Sequence, residues 1–336
     1  MCLGKTKPGV KKMTDITVRV AGLELKNPII AGSSGLTESV EGVKTLETAG
    51  AAAVVLKSLF EEQIMNDVYE TIGATQRMFS HPELSDYVKY FEEKDAVTKY
   101  LDLIHDAKSA VTIPVIASIN CGSFDKWVKF SSDIQSAGAD ALEINYYHLP
   151  SDPSVTEQVY LSTALNIAKE IKKHISIPFT MKLGYYSDTL AKDLLTISRT
   201  DVSGLVLFNR PFYPDIDIST EKIISGYPYS TADEISNSLR WIAILSDFAE
   251  TDLIAATGVH NGHGIIKQIL AGAKAVQMTS SIYLNSSSVI KRSLSELTEW
   301  MEIKGYKKLD DFRGRLSRKD HAIYDRVQFL RRGKEE

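Results

Sequence analysis

The sequence predicts an α/β protein, a (β/α)8 TIM barrel, and three observations carry that expectation. Short apolar runs rich in β-branched residues recur along the chain, each followed by a helix-length amphipathic stretch. Eight such pairs fit into roughly 280 residues, the count and size of a barrel. The runs are continuously apolar, as parallel strands buried on both faces are. The turn after the first run, AGSSG, lacks the GxGxxG of a doubly wound dinucleotide-binding sheet.

The elements follow in order. Residues 17–25 alternate around Gly22 and predict a hairpin that caps the bottom of the barrel. The strand–helix pairs are 28–31 with 40–49, 52–57 with 96–109, 115–119 with 124–137, and 141–145 with 156–174. They continue as 179–183 with 188–200, 204–208 with 232–248, 253–256 with 262–271, and 275–278 with 288–304. Two connections are too long for simple βα loops. Residues 59–95 predict a lid or wall, and residues 209–231 carry PFYPD and GYPYS. Both follow strands, so both belong over the C-terminal face, where barrels place their chemistry. Residues 1–13 read as a disordered leader, 14–316 as one barrel domain and 317–336 as a basic C-terminal tail. From Lys307 onward there are ten bases against six acids, which predicts a solvated helical tail.

Composition excludes several classes. A formal net charge of −4 gives no electrostatic footprint for nucleic acid. No apolar run reaches the roughly 18–20 residues of a spanning helix, so no membrane insertion is expected. The leader's four lysines have no apolar stretch behind them and make no signal peptide. The two cysteines, Cys2 and Cys121, are too few for a disulfide framework or a four-cysteine cluster, and a cytoplasmic location follows.

The barrel rule reduces the search for a site to polar residues at strand C-termini. These are Ser33 and Ser34; Lys57 and Ser58; Ser118, Asn120 and Cys121; Glu143, Asn145, Tyr146, Tyr147 and His148; Lys182; Asn209 and Arg210; Thr257 and Gly258; Thr279, Ser280 and Ser281. Lysines directly after apolar strands are costly to bury without an anion or strong acceptors. Lys57 and Lys182 therefore admit three functional readings: an anionic ligand, a Schiff base, or stabilisation of an anionic reduced cofactor. TGVHNGHG and MTSS, at the ends of strands seven and eight, offer hydroxyls and backbone N–H groups suited to a phosphate. His260 and His263 share a helical spacing, but no third ligand accompanies them, so no metal is expected. Cys121 reads as a small residue near a ligand.

The segments LELKNPIIAGSSG, AAAVVLKS, ALEIN, FTMKL, LVLFN, IAATGVHNG, AVQMTSS and GYKKLDDFRGRL stand in the order of one family's strands. Together they resemble the dihydroorotate dehydrogenases, closest to the cytosolic class 1 form, from about Thr17 to Leu316. The resemblance implies non-covalent FMN, a small-molecule substrate and a homodimer; it names no electron acceptor. It implies that Lys57 touches flavin and substrate, that Asn145 and Asn209 bind substrate, and that Lys182 lies beside the flavin's pyrimidine ring. Thr257, Gly258, Thr279 and Ser280 fall in the phosphate turns, where Thr257 replaces a family glycine. Ser33, Ser34, Ser58, Ser118, Asn120 and Asn145 complete the expected cofactor set.

The implied reaction oxidises dihydroorotate to orotate in pyrimidine biosynthesis. A base removes one proton, and hydride passes from the neighbouring carbon to flavin N5. Two departures stand out. The loop after strand four is NYYHLPSDP where the family has the NxSCPN type. His148 falls at the base position, with Tyr147 the next candidate. The family's NSMGLPN-type segment has no clear counterpart within 59–90. These departures keep open an FMN oxidoreductase acting on another small carbonyl-bearing substrate and, more remotely, a Schiff-base lyase using Lys182.

Overall fold

A computed structural model describes residues 14–60, 82–120, 124–147, 149–154 and 156–327. β1 (Val18–Val20) and β2 (Leu23–Leu25) form the N-terminal hairpin. Ala21 and Gly22 between them both adopt positive φ, 48° and 80°, as a tight primed turn requires. The Ala21 N–H donates to Asp252 Oδ2 at 2.8 Å, which ties the hairpin to the bottom of the barrel.

The first half of the barrel runs β3 (Ile29–Ala31), α1 (Val40–Thr48), β4 (Ala53–Val55), β5 (Leu59–Phe60), α2 (Pro82–Ala110), β6 (Val115–Asn120), α3 (Phe124–Ser136), β7 (Ala141–Tyr146) and α4 (Glu157–His174). The second half runs β8 (Phe179–Leu183), α5 (Leu190–Ser198), β9 (Gly204–Leu207), the hairpin β10 (Pro214–Asp217) and β11 (Lys222–Ser225), then α6 (Ile235–Leu245). It ends with β12 (Asp252–Ala255), α7 (Gly262–Ala271), β13 (Ala275–Met278), α8 (Ser280–Asn285) and α9 (Ser288–Lys304).

Eight parallel strands pair in the order β4–β3–β13–β12–β9–β8–β7–β6, and β6 returns to β4 to close the barrel. β5 resumes after the Lys57–Ser58 step and pairs again with β6. Every residue of β3, β4, β9 and β13 is buried, which is why these strands read as unbroken apolar runs. Helix ends are set locally. The Asn261 side chain accepts from the Gly264 N–H at the start of α7, and Gly305 at φ 75° ends α9. None of the described helices is long and apolar enough to cross a membrane.

Three expectations change. The second helix begins at Pro82 rather than 96, with no breaker between and with proline at the first helical turn, where its missing N–H costs nothing. The wall expected over 59–95 is therefore helical in its last third; residues 61–81, like the leader 1–13, lie outside the described residues. The tail is not a solvated helix. Between 307 and 327 it forms three 3-10 turns, 309–311, 318–320 and 322–325. Gly314, at φ 69°, breaks the helical course. The N–H groups of Gly314 and Leu316 then donate to Ile269 O and Leu270 O at 3.0 and 2.9 Å. Leu309 and Phe312 are buried against the barrel.

Candidate functional site

At the C-terminal mouth a buried polar centre lies between β7, β8 and β13. Lys182 donates from Nζ to Gln277 Oε1 at 2.9 Å and stands 3.7 Å from Glu143 Oε1. The Gln277 amide donates to the other Glu143 oxygen. Glu143 is 1% exposed, and its Oε1 accepts no hydrogen bond among the described residues. A carboxylate so enclosed needs a cation, and Lys182, brought alongside by the β7–β8 register that pairs Asn145 with Lys182, is that cation. The lysine thus sits against an acid and an amide, unlike the apolar surroundings that activate a Schiff-base amine.

The β3–β4–β6 side is a ladder of hydroxyls. The Ser58 N–H donates to Ser33 Oγ at 2.9 Å, and Ser58 Oγ lies 2.7 Å from Ser118 Oγ. Ser118 is fully buried, its N–H and C=O both bonded to the Tyr100 hydroxyl from α2. Ser118 thus lies beneath the Ser33–Ser58 step, with its hydroxyl turned to Ser58. Ser34 is likewise engaged locally. Its Oγ accepts from the Leu36 N–H and caps the turn Gly35–Thr37. Asn120 is half-buried at the end of β6. Lys57 stands at the rim, half-exposed, with Nζ 2.6 Å from Glu38 Oε2.

The β12–β13 side is built for close approach. Thr257 and Gly258 have φ of 68° and 80°. A β-branched residue in that region is strained, and the Thr257 hydroxyl is anchored on Phe208 O at 3.0 Å. A Cβ at Gly258 would lie 2.1 Å from Ile235 N, and one at Gly32 would lie 2.4 Å from Thr279 Oγ1. Ser280 opens α8 and accepts the Ser230 N–H at 3.0 Å. Ser33, Lys182, Asn209, Thr257, Gly258, Thr279 and Ser280 all line one cleft of about 430 Å³. Seven residues expected from sequence therefore converge. His260 closes this side, with Nε2 3.1 Å from Ser230 Oγ, and burial holds its pKa below the usual histidine value.

The β7–β9 side is aromatic. Asn209 donates to Asn145 Oδ1 at 2.9 Å, so the two asparagines form one unit. Above them the Tyr147 ring lies so close over Gly184 that a Cβ there would sit 2.9 Å from its carbons. Tyr147 meets Tyr186 edge-on at 6.3 Å, Tyr186 meets Tyr185 at 4.9 Å, and Tyr185 meets Phe208 at 5.6 Å. Arg210 lies over the Tyr213 ring at 4.9 Å and pairs with Glu234 at 2.9 Å.

At Tyr147, the second candidate base, burial and then the neighbouring Tyr186 and Tyr213 phenols push the pKa above that of a free phenol. Tyr146 is pushed up to about 12, chiefly by burial, and bonds to Tyr160 O at 2.8 Å. His148 and Cys121 lie outside the described residues.

A family model for dihydroorotate dehydrogenase matches residues 15–301, nearly the whole barrel. The chain belongs to the dihydroorotate dehydrogenase family. Within that family it is 23% identical over 317 residues to the "Dihydroorotate dehydrogenase B (NAD(+)), catalytic subunit" of Thermoplasma acidophilum, covering 90% of this chain and 99% of that one. It is 22% identical over 330 residues to the "Dihydroorotate dehydrogenase A (fumarate)" of Lactobacillus helveticus, again covering 90% and 99%.

Sequence reasoning passed over several members of the site. Gln277 was detectable as a lone polar residue within an apolar strand. Glu38, Glu234, Tyr185, Tyr186 and Tyr213 lie in loops or at a helix start, and only the fold brings them to the mouth.

Proposed function

We propose that this chain is an FMN-dependent oxidoreductase acting on a CH–CH bond of a small carbonyl-bearing ring, with dihydroorotate oxidation to orotate as the family reaction to test first. The observation that carries the proposal is the single cleft in which Lys182 meets the hydroxyls and tight glycine turns of β12, β13 and β3. The donor set fits FMN. Thr257, Gly258, Thr279 and Ser280 would hold its phosphate with hydroxyls and first-turn N–H groups. Bound there, FMN supplies a hydride acceptor.

The chain's own residues do the rest. Lys182, compensated by Glu143 and aimed by Gln277, would hold the flavin with a fixed positive charge that favours its anionic reduced form. The Asn145–Asn209 unit offers amide donors and acceptors to ring carbonyls and N–H groups. His148, in the loop after β7, takes the ring proton; an imidazole is the best-matched base near neutral pH.

The visible spectrum of the purified protein tests this. Flavin bands, before or after incubation with FMN, are expected, with bleaching under anaerobic substrate. A protein that stays colourless in excess FMN refutes the reading. The second reading, a different small carbonyl substrate, is favoured by one observation: Tyr147 covers Gly184 in the loop that has lost the NxSCPN pattern.

A further inference from the structure

We infer that Glu143, buried behind Lys182, sets how readily a flavin in this cleft is reduced, its negative charge holding down the pull of the lysine. The inference rests on the flavin oxidoreductase reading above and concerns a positioning residue, one that acts through Lys182.

The carboxylate lies inside the barrel. Residues two apart on a strand share a face, so on β7 Glu143 stands one layer below Asn145, and the two are 1% and 7% exposed. Asn145 meets Asn209, and Asn209, Lys182 and Gln277 line the cleft. Glu143 acts on the cleft from behind these side chains.

Hydrogen bonding alone does not call for a charge at this position. Gln277 Oε1 already accepts from Lys182 Nζ at 2.9 Å, and the Gln277 amide is satisfied by one oxygen of Glu143. The other oxygen, Oε1, accepts nothing among the described residues and stands 3.7 Å from the ammonium, beyond hydrogen-bond reach. A glutamine at 143 would satisfy the same amide without the desolvation penalty of a buried carboxylate. What the carboxylate adds is its field, which is screened far less in a buried setting than at a surface. The reach of that field shows at Tyr100, packed in from α2. Burial first, and the charge of Glu143 after it, push the pKa of that phenol up. Set behind a cation, the same charge opposes the build-up of a further negative charge in front of it. It therefore favours the oxidised flavin and eases the departure of electrons from the reduced one. Lys182 and Glu143 are two opposed charges that Gln277 holds at a fixed separation.

Sulfite, added to the oxidised holoprotein, is the probe. Its sulfur adds to flavin N5, its lone pair becomes the new N–S bond, and the adduct carries the negative charge of a reduced flavin, with no other oxidant or reductant involved. Bleaching of the flavin band on titration gives the dissociation constant, and the midpoint potential against a reference dye reads the same balance. Glu143→Gln keeps the shape and the acceptor for Gln277 but loses the charge. It should bind sulfite about tenfold more tightly, which for a two-electron couple corresponds to a midpoint raised by about 30 mV. Glu143→Asp keeps the charge and alters the packing, and should stay close to the unaltered protein. In the Lys182→Met background Glu143→Gln removes a charge that has already lost its partner, and it should again raise the midpoint and tighten sulfite; this comparison stands even where the single variant does not fold. A sulfite affinity and midpoint that loss of the charge leaves unchanged overturn the inference. So does an aspartate variant that tightens sulfite as the glutamine one does, because the effect is then one of packing. In each of these cases the flavin is bound and the oxidoreductase reading stands. An unaltered protein that takes up no FMN overturns both.

Discussion

Replacing Lys182 by methionine removes the only cation paired with Glu143 among the described residues and keeps most of the side chain's volume. At 3.7 Å, with the effective dielectric constant of about 20 that suits protein ion pairs, the lost attraction is about 4 kcal/mol. The expected result is a stability loss of about 3–4 kcal/mol at pH 7, because the buried carboxylate is left without its partner. Glu143→Gln in the same chain should restore most of the loss at pH 7, because no buried charge then lacks a partner. Equilibrium urea unfolding of the flavin-free protein at pH 7 measures this. A loss below about 1 kcal/mol, or one that Glu143→Gln does not restore, refutes the view that this pair is the electrostatic centre of the mouth.

Gly258→Ala places a Cβ 2.1 Å from Ile235 N on a backbone at φ 80°; it should lower the melting temperature and abolish flavin retention, and a variant that stays yellow with an unchanged melting temperature contradicts the assigned phosphate turn. His148→Ala should slow flavin reduction by about 100-fold in a stopped-flow assay while FMN stays bound, and an unchanged rate removes His148 as the base. Burial lowers the pKa of His260, so between that value and the unfolded value near 6.5 the unfolded chain binds more protons. Stability should therefore fall as pH drops through the low sixes, before the carboxylates titrate, and His260→Gln should flatten that part of a melting-temperature profile.

Much of the barrel was legible because its strands are buried on both faces, so Phe179–Leu183 and Ala275–Met278 could be bounded to the residue from apolar runs alone. The start of α2 was not. Residues 82–95 are crowded with charge and carry little apolar periodicity, and helical continuity there comes from the absence of a breaker. The tail was misread for the converse reason: its charge pattern suits a helix, but Gly314 and the backbone bonds to α7 redirect it. In the site, chain order brings Lys182, Thr257, Gly258, Thr279 and Ser280 to one cleft because strand ends map directly onto the mouth. The partners of the cations could not be read this way. Glu38 lies 19 residues from Lys57 and Glu234 lies 24 from Arg210, and nothing in local periodicity links them.

The barrel also lets one half of its mouth vary while the other half is held. Each strand end is held by its own pair of neighbours, so loops on one side vary without moving those opposite. The β12, β13 and β3 ends are constrained by contact: Gly258 abuts the backbone of α6 and Gly32 abuts Thr279, so most substitutions there collide with main chain or with the adjoining strand. The loops after β7, β8 and β9 meet mainly one another, through rings that stack. A change in one of those loops can be absorbed by rotation of a tyrosine in the next. The β7–β9 side, whose described contacts are stacked rings, is thus freer to change than the turns of β12 and β13, where Gly258 and Gly32 leave no room for a Cβ.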